Sequence, residues 1–218
     1  MRSRSRWGTR PQARAGHDGR VADQGRTSLA RRGGRVIENP VSGERIVIRA
    51  TAAETDGALL AWELFLAPGG RVPSSHAHPR QEEVFTVVEG LLRLRVRSRS
   101  RTLKPGDSVR VAPGAVHSFA NPGKRVAHVM VQTRPALEME ALLATAAAMA
   151  RETRQSARVL PSVPRPHELV LFMRDFEREV RAPYLPAVIT RLVIRPLARL
   201  IRQRGLDARY RRWRRGLP

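Results

Sequence analysis

The chain of 218 residues is long enough for one domain with a substantial core and additional segments. It contains no cysteine, which excludes disulfides, thiolate metal sites and cysteine nucleophiles, so any metal must be held by His, Asp or Glu. A net charge of +22 normally points to nucleic acid or an acidic surface, but here the charge is concentrated at the two ends. Residues 1–36 hold ten Arg and two Asp, and residues 191–218 hold ten Arg and one Asp.

The N-terminal segment, residues 1–35, is rich in Arg, Gly and Ser and has few apolar residues, which predicts a disordered tail. Two interpretations remain open: a nucleic-acid-binding arm, or a translation start assigned too far upstream, with the native protein beginning near Val36. No apolar run approaches the roughly 20 residues that span a bilayer, and the tail lacks the apolar region of a secretory signal. We therefore expect a cytoplasmic protein without a membrane span.

Short strands are predicted throughout residues 36–135. Ile46 and Ile48 alternate with Val47 and Arg49, which indicates a strand. Apolar and polar residues alternate at 92–97, which indicates a strand with one buried and one solvated face. Further strands are predicted at 59–66, 84–88, 108–111, 116–119 and 127–132, with Pro-Gly turns between several of them. Turns every eight to twelve residues or so are typical of a β-sandwich or barrel, so the predicted fold class is mainly β.

After Pro135 the apolar period changes to about 3.6 residues, which predicts a helical extension over residues 136–204. Helices are expected at 136–154 and 167–180, followed by a longer one with an apolar stripe at 185–201. Arg191, Arg195, Arg199 and Arg202 form a second stripe beside it, and Pro196 should kink this helix. We expect the apolar stripe to pack on the barrel or on a dimer partner; the alternative is that it contacts another partner together with the Arg stripe. We interpret residues 205–218 as a basic C-terminal tail.

Four residues have the spacing of metal ligands: His76, His78, Glu83 and His117. Residues two apart in a strand point to the same face, so His76 and His78 can aim two imidazoles at one point. Glu83 begins the next strand after a short turn, and His117 comes from a distant strand. Three imidazoles and one carboxylate suit a divalent first-row metal and leave positions free for water or substrate. Glu82 is an alternative to Glu83, because adjacent residues of a strand point in opposite directions and only one can face the site.

These segments resemble the two motifs of the cupin superfamily. Gly70, His76, His78, Glu83 and Gly90 fit the first motif, and Gly106, Gly114, His117 and Asn121 fit the second. Ala112 stands where the family usually has proline, and Pro113 follows it. The six-residue gap before Gly90 favours Glu83 over Glu82. The resemblance covers about residues 40–134 and implies a cupin-type jelly-roll β-barrel over residues 36–135, followed here by C-terminal helices.

The resemblance also implies a divalent transition metal, which could be Fe, Mn, Ni, Zn or Cu, and a small-molecule ligand or substrate. The corresponding function is a metal-dependent oxygenase or isomerase acting on a small organic substrate; the alternative is a non-catalytic module that senses a small ligand or a metal. Phe85, Val87 and Phe119 share faces with the ligands and either line the pocket or belong to the barrel core. A homodimer is expected by resemblance, and non-specific nucleic-acid binding through the Arg-rich tails is a further hypothesis.

The remaining histidines His17, His128 and His167 have no partner at ligand spacing and are predicted to be structural or solvated. Tyr210 and Trp213 are the only aromatic residues interleaved with a basic run near the C-terminus, which is a weak signal for nucleic-acid stacking.

Overall fold

The computed structural model describes residues 34–72, 74–156, 164–183 and 185–215. The N-terminal tail, including His17, lies outside the described residues except for its last two positions. The strands are β1 (Val36–Asn39), β2 (Glu44–Ala50), β3 (Leu60–Leu66), β4 (Glu82–Glu89), β5 (Leu92–Val96), β6 (Arg99–Leu103), β7 (Ser108–Val111), β8 (His117–Ala120) and β9 (Ala127–Arg134). The helices are α1 (Met139–Ser156), α2 (Pro166–Asp175), α3 (Ala187–Ile189), α4 (Arg195–Gln203) and α5 (Ala208–Arg215), with a 3₁₀ turn at Ala53–Thr55 and a π-helical turn at Thr190–Ile194.

The strands form two antiparallel sheets that enclose one apolar core. Six strands have the order β1-β2-β3-β9-β4-β7, and the other three have the order β6-β5-β8. Every second residue of the central strands is buried, as in β9, where Ala127, Val129 and Val131 point inward. The prediction of a mainly β, barrel-like fold followed by C-terminal helices is confirmed.

Two strands, β1 and β6, were not predicted from the sequence, and the exposure of β6 gives the reason. Its first four residues, from Arg99 to Thr102, are exposed, and only Leu103 is buried. It is an edge strand of the three-stranded sheet, pairing with β5. Without an inward-facing apolar residue at every second position, such a strand produces no alternation. The short strand β1, Val36–Asn39, is the other strand without a sequence prediction.

The motif residues Gly90 and Asn121 stabilise the turns that follow β4 and β8. Gly90 has a φ of +75°, and a Cβ there would lie 2.7 Å from the carbonyl oxygen of Val126. Only glycine suits that position. The Asn121 side chain donates to the carbonyl oxygens of Leu66, at 2.9 Å, and Arg125, at 2.7 Å, and thereby fixes the connection from β8 to β9.

The C-terminal helices share a second apolar core. Its buried members are Met149, Val170, Leu171, Ile194, Ala198, Ile201, Tyr210 and Trp213. None of the helices in the described ranges is long and apolar enough to cross a membrane.

The structure refines two sequence interpretations of this region. The helix expected at 185–201, with a kink at Pro196, is divided: the π-helical turn Thr190–Ile194 ends directly before α4, which holds Pro196 in its first turn. Proline has no N–H to donate and crowds the preceding turn, so the regular hydrogen-bond ladder cannot pass through it. The segment interpreted as a basic tail contains α5, because Tyr210 and Trp213, three residues apart, both bury their rings against the other helices.

Candidate metal centre

The two histidines of the first motif lie between β3 and β4, and His117 is the first residue of β8. His76 and His117 form an antiparallel backbone bridge, with N–H to carbonyl hydrogen bonds of 3.0 and 2.8 Å in the two directions. This bridge places their ring centroids 4.5 Å apart. His78, two residues beyond His76, brings its own ring within 4.9 Å of His76 and 5.1 Å of His117.

One ligand atom from each of the three histidines lies within 4.8 Å of the others, so this group could hold a metal ion. Glu83 extends the cluster. Its Oε2 lies 3.3 Å from Nε2 of His78 and 3.2 Å from Nε2 of His117. Glu82 contacts Arg110 on the other side of β4, so Glu83 is the carboxylate that faces the imidazoles.

All three imidazoles are oriented by backbone carbonyl groups. The Nδ1 atom of His76 lies 3.2 Å from the carbonyl oxygen of Ser74, and that of His117 lies 3.0 Å from the carbonyl oxygen of Ala115. Nδ1 of His78 lies 2.5 Å from the carbonyl oxygen of Glu179. A carbonyl can only accept, so in each neutral imidazole Nδ1 carries the proton and Nε2 presents a lone pair.

The buried Glu83 carboxylate is held ionised by its neighbours. Burial alone raises its pKa, but the imidazoles of His78 and His117 outweigh burial and hold the pKa well below the usual value. Burial lowers the pKa of His78, but Glu83 and Glu179 together outweigh burial, and the pKa is raised. The pKa of His76 is lowered to about 3, mainly by burial and further by the charges of His78 and His117, which Glu83 only partly offsets. Near neutral pH, His76 is therefore a neutral ligand.

The environment of the Nε2 atom of His117 indicates that the four side chains are suited to hold a metal ion. Nε2 of His117 is buried and makes no hydrogen bond of good geometry with any described residue, although Oε2 of Glu83 is close. A lone pair that faces a carboxylate is repelled unless a proton or a cation lies between them. Three imidazole nitrogens and one carboxylate are typical ligands of a divalent first-row metal.

The cluster opens into a cavity of about 470 Å³. His76, His78 and Glu83 contribute to its wall, whereas His117 is 1% exposed and is not one of the lining residues. The rest of the wall is mainly apolar and comes from both the barrel and the helices. It includes Trp62, Val72, Phe85 and Phe119 of the barrel and Met139, Leu142, Leu143, Met149, Leu169 and Phe172 of the helical extension.

The sequence-predicted pocket residues separate into two groups. Phe85 and Phe119 line the cavity, with ring centroids 5.8 Å apart. Val87 differs, because it is buried in the barrel core and is not part of the cavity wall. It lies two residues beyond Phe85 on β4, a step of about 7 Å along the strand, which takes it past the cavity.

Three residues around the site were not predicted from the sequence. The Thr133 hydroxyl donates to Oε1 of Glu83 at 3.2 Å, and the inward alternation of β9 could have indicated it. The carbonyl group of Glu179 has no sequence signal, since any residue has one. Glu44 lines the cavity, accepts a hydrogen bond from the Ser42 hydroxyl, and has a pKa raised by burial against the opposing effect of that hydrogen bond.

His128 lies away from the cluster. Its ring stacks on Phe65, with centroids 4.4 Å apart, and its Nε2 lies 3.6 Å from Glu63. His167 is on the first turn of α2 and is only partly buried. These placements agree with structural roles.

Comparison with known proteins gives one family match. Residues 62–132, which include His76, His78, Glu83 and His117, match the family model described as Cupin domain. A search of the curated proteins found no match.

Solved structures with a similar arrangement come from several bacteria. KdgF from Halomonas sp. is 19% identical, with 48% of this chain and 89% of that chain covered and a TM-score of 0.43. An RmlC-like cupin from Shewanella frigidimarina is 24% identical, with 49% and 88% covered and a TM-score of 0.43. The protein TT1209 from Thermus thermophilus is 25% identical, with 44% and 87% covered and a TM-score of 0.40.

Proposed function

We propose that this chain, which belongs to the cupin superfamily, binds one divalent transition metal ion through His76, His78, Glu83 and His117 and acts on a small organic molecule beside it. The observation that carries the proposal is the convergence of these four side chains, three of which lie in the wall of an apolar cavity of about 470 Å³. The ligand types accept Fe, Mn, Ni, Zn or Cu, so they define the class of metal rather than the element.

The chemistry of such a site is that of a metal-dependent oxygenase or isomerase. A bound ion supplies Lewis acidity and a template for oxygen atoms of the substrate. The protein's own contribution is positional: the carbonyl groups of Ser74, Ala115 and Glu179 hold the imidazoles in one orientation. Phe85 and Phe119 keep that wall of the cavity dry and favour a substrate with an apolar body.

Elemental analysis tests the metal centre directly. We expect the full chain, purified without added metal, to carry about one transition metal ion per chain, as its four ligands allow. His117→Ala should lose that metal, and His128→Ala should keep it, because His128 stacks on Phe65 away from the cluster. A wild-type protein without any transition metal, or a His117→Ala variant with unchanged content, contradicts the proposal.

A second candidate function is a sensing module without turnover. It is favoured by the wall that α1 and α2 contribute through Leu142, Leu143, Met149, Leu169 and Phe172, since a ligand in the cavity would contact both helices. Oxygen consumption and product formation by the metal-loaded protein over diketones, catechols and flavonols support the enzyme. Ligand-dependent hydrogen-exchange protection of α1 and α2 without any product supports the sensor.

A further inference from the structure

Six aliphatic residues of the apolar stripe predicted at 185–201 are exposed on the segment from α3 to α4, and from here on the apolar stripe means these six. Its members are Val188 (54% exposed), Ile189 (38%), Leu192 (66%), Val193 (48%), Leu197 (40%) and Leu200 (41%). They recur three to five residues apart and so follow one side of the helical segment. Six exposed aliphatic side chains on one side of a helical segment, rather than scattered singly, mark an interaction site.

The opposite side of the same segment is already packed. Thr190, Ile194, Ala198 and Ile201 are buried, and the last three belong to the core of the helical layer. The segment is therefore held in place by one face, and the apolar stripe points away from the rest of the described residues. Arg195 and Arg202 reinforce this attachment through ion pairs with Glu177 and Asp175.

A row of cations borders the apolar stripe. Arg191, Arg195, Arg199 and Arg202 are all exposed. Within the described ranges, no acidic group forms an ion pair with Arg191 or Arg199. The exposed Arg204, Arg211, Arg212 and Arg215 follow in the chain and add positive charge. A partner that fits this surface must offer an apolar region for the aliphatic side chains and negative charges beside it for the arginines.

Charge decides between the possible occupants. A second copy of the chain would bring two Arg-bordered stripes together, and each chain carries a net charge of +22. Facing like charges disfavour such a pairing. Nucleic acid would satisfy the arginines but gives no burial to six aliphatic side chains. An anionic lipid surface satisfies both, because headgroup phosphates pair with arginines while the aliphatic residues enter the boundary with the acyl chains.

We propose that residues 187–203 bind the surface of an anionic lipid bilayer, with the apolar stripe inserted at the headgroup level and Arg191 and Arg199 paired with lipid phosphates. The segment is about 25 Å long at the helical rise, and its polar border makes it suitable for lying in the interface rather than for spanning it. Membrane attachment of this kind would place the cavity of the same domain near lipid-soluble molecules, but it does not depend on the proposed metal chemistry.

A single fluorescent label tests the orientation directly, because the chain has no cysteine of its own. Leu192→Cys, labelled with an environment-sensitive dye on the full chain, should brighten with vesicles of phosphatidylcholine and phosphatidylglycerol. Vesicles of phosphatidylcholine alone should leave it unchanged. Val126→Cys is the matched control, since Val126 is a similarly exposed aliphatic residue (49%) that lies on the barrel and should give no response.

Variants that remove aliphatic side chains without changing the net charge distinguish insertion of the apolar stripe from electrostatic attraction by the Arg-rich ends. Leu192→Ser combined with Leu197→Ser should weaken partitioning to the anionic vesicles by about tenfold or more, while Val126→Ser leaves it unchanged. Arg191→Gln with Arg199→Gln should also weaken it and reduce its dependence on salt. Unchanged partitioning of the double serine variant overturns the proposal. So does a wild-type dimer in sedimentation velocity that the double serine variant dissociates, with no lipid binding by either, because the stripe is then an interface between copies.

Discussion

Nδ1 of His78 and the backbone carbonyl oxygen of Glu179 are 2.5 Å apart, although 101 residues separate them in the chain. Beside this contact, Ala77 and Arg181 form an antiparallel bridge with hydrogen bonds of 3.0 and 2.8 Å. The segment after α2 thus runs along the histidine segment like a short added strand. The helical extension therefore completes the candidate metal centre, because it fixes the tautomer of one ligand.

The first prediction follows from that bridge. Arg181→Pro removes the N–H that donates to the carbonyl oxygen of Ala77 and disturbs the carbonyl group that orients His78. We expect a metal affinity lower by about 10- to 100-fold, as for the loss of other ligand-orienting contacts, with the barrel still folded. Arg181→Ala keeps the N–H and should bind metal like the wild type. Titration with Zn²⁺ or Mn²⁺ against a competing chelator measures both, and equal affinities would show that the bridge has no part in binding.

Adjacent carboxylates provide the second prediction. Glu83 faces His78 and His117, whereas Glu82 contacts Arg110 outside the cavity. Glu83→Gln replaces an anionic ligand by a neutral amide and should lower metal affinity strongly, while Glu82→Gln should leave it nearly unchanged. The same chelator competition measures the difference. Loss of metal from Glu82→Gln with retention in Glu83→Gln would reverse the assignment.

The convergence of His76, His78, Glu83 and His117 could be predicted because its signal is local. Two residues of separation in a strand define a shared face, and the fixed turns return Glu83 to the same point. The antiparallel bridge between His76 and His117 supplies the long-range part, and the motif spacing indicated it without giving the distance. The choice between Glu82 and Glu83 also agrees with the contacts of the two side chains.

The carbonyl partner of His78 could not be predicted, since it depends on tertiary packing. The carbonyl group of Glu179 is placed by the path of the chain after α2, and a carbonyl group leaves no trace in the residue type. The helix α5 was not predicted, because its eight residues are rich in Arg. Only Tyr210 and Trp213 among them are large and apolar enough to anchor it. Charge patterns describe the exposed face of such a helix and not the buried one.

The third prediction concerns that anchor. The Trp213 ring is 7% exposed, and its Nε1 donates to Glu152 of α1. Trp213→Ala should destabilise the helical layer by about 3 to 5 kcal/mol, because it removes a large side chain from a packed core. Trp213 belongs to a different apolar cluster from β3 and β9, although Phe172 contacts both clusters, so hydrogen exchange should accelerate in α4 and α5 and stay slow in β3 and β9. Leu206→Ala, at a residue that is 54% exposed, is the control and should change neither region. Uniform acceleration would show that barrel and helices unfold as one unit.

The last prediction concerns Glu44, a carboxyl group on the cavity wall. Burial raises its pKa above the ordinary value of 4.5, against the opposing effect of the Ser42 hydroxyl. The folded protein therefore holds this proton more tightly than the unfolded chain does. The resulting stabilisation is fully present below pH 4.5 and is lost as the pH rises through the folded-state pKa.

Glu44→Gln keeps the shape of the side chain and cannot ionise, so it should melt at a higher temperature than the wild type at pH 7. The advantage should shrink as the pH falls toward 4.5, where the wild-type carboxyl is also neutral in both states. Thermal melts from pH 4 to 8 measure it, with Glu38→Gln as a control, because Glu38 is 67% exposed at its side chain and should give no pH-dependent gain. An equal stability difference at every pH would show that ionisation of Glu44 is not responsible. A carboxyl group retained on an apolar wall at a cost to stability is suited to hydrogen bonding with a ligand that enters the cavity.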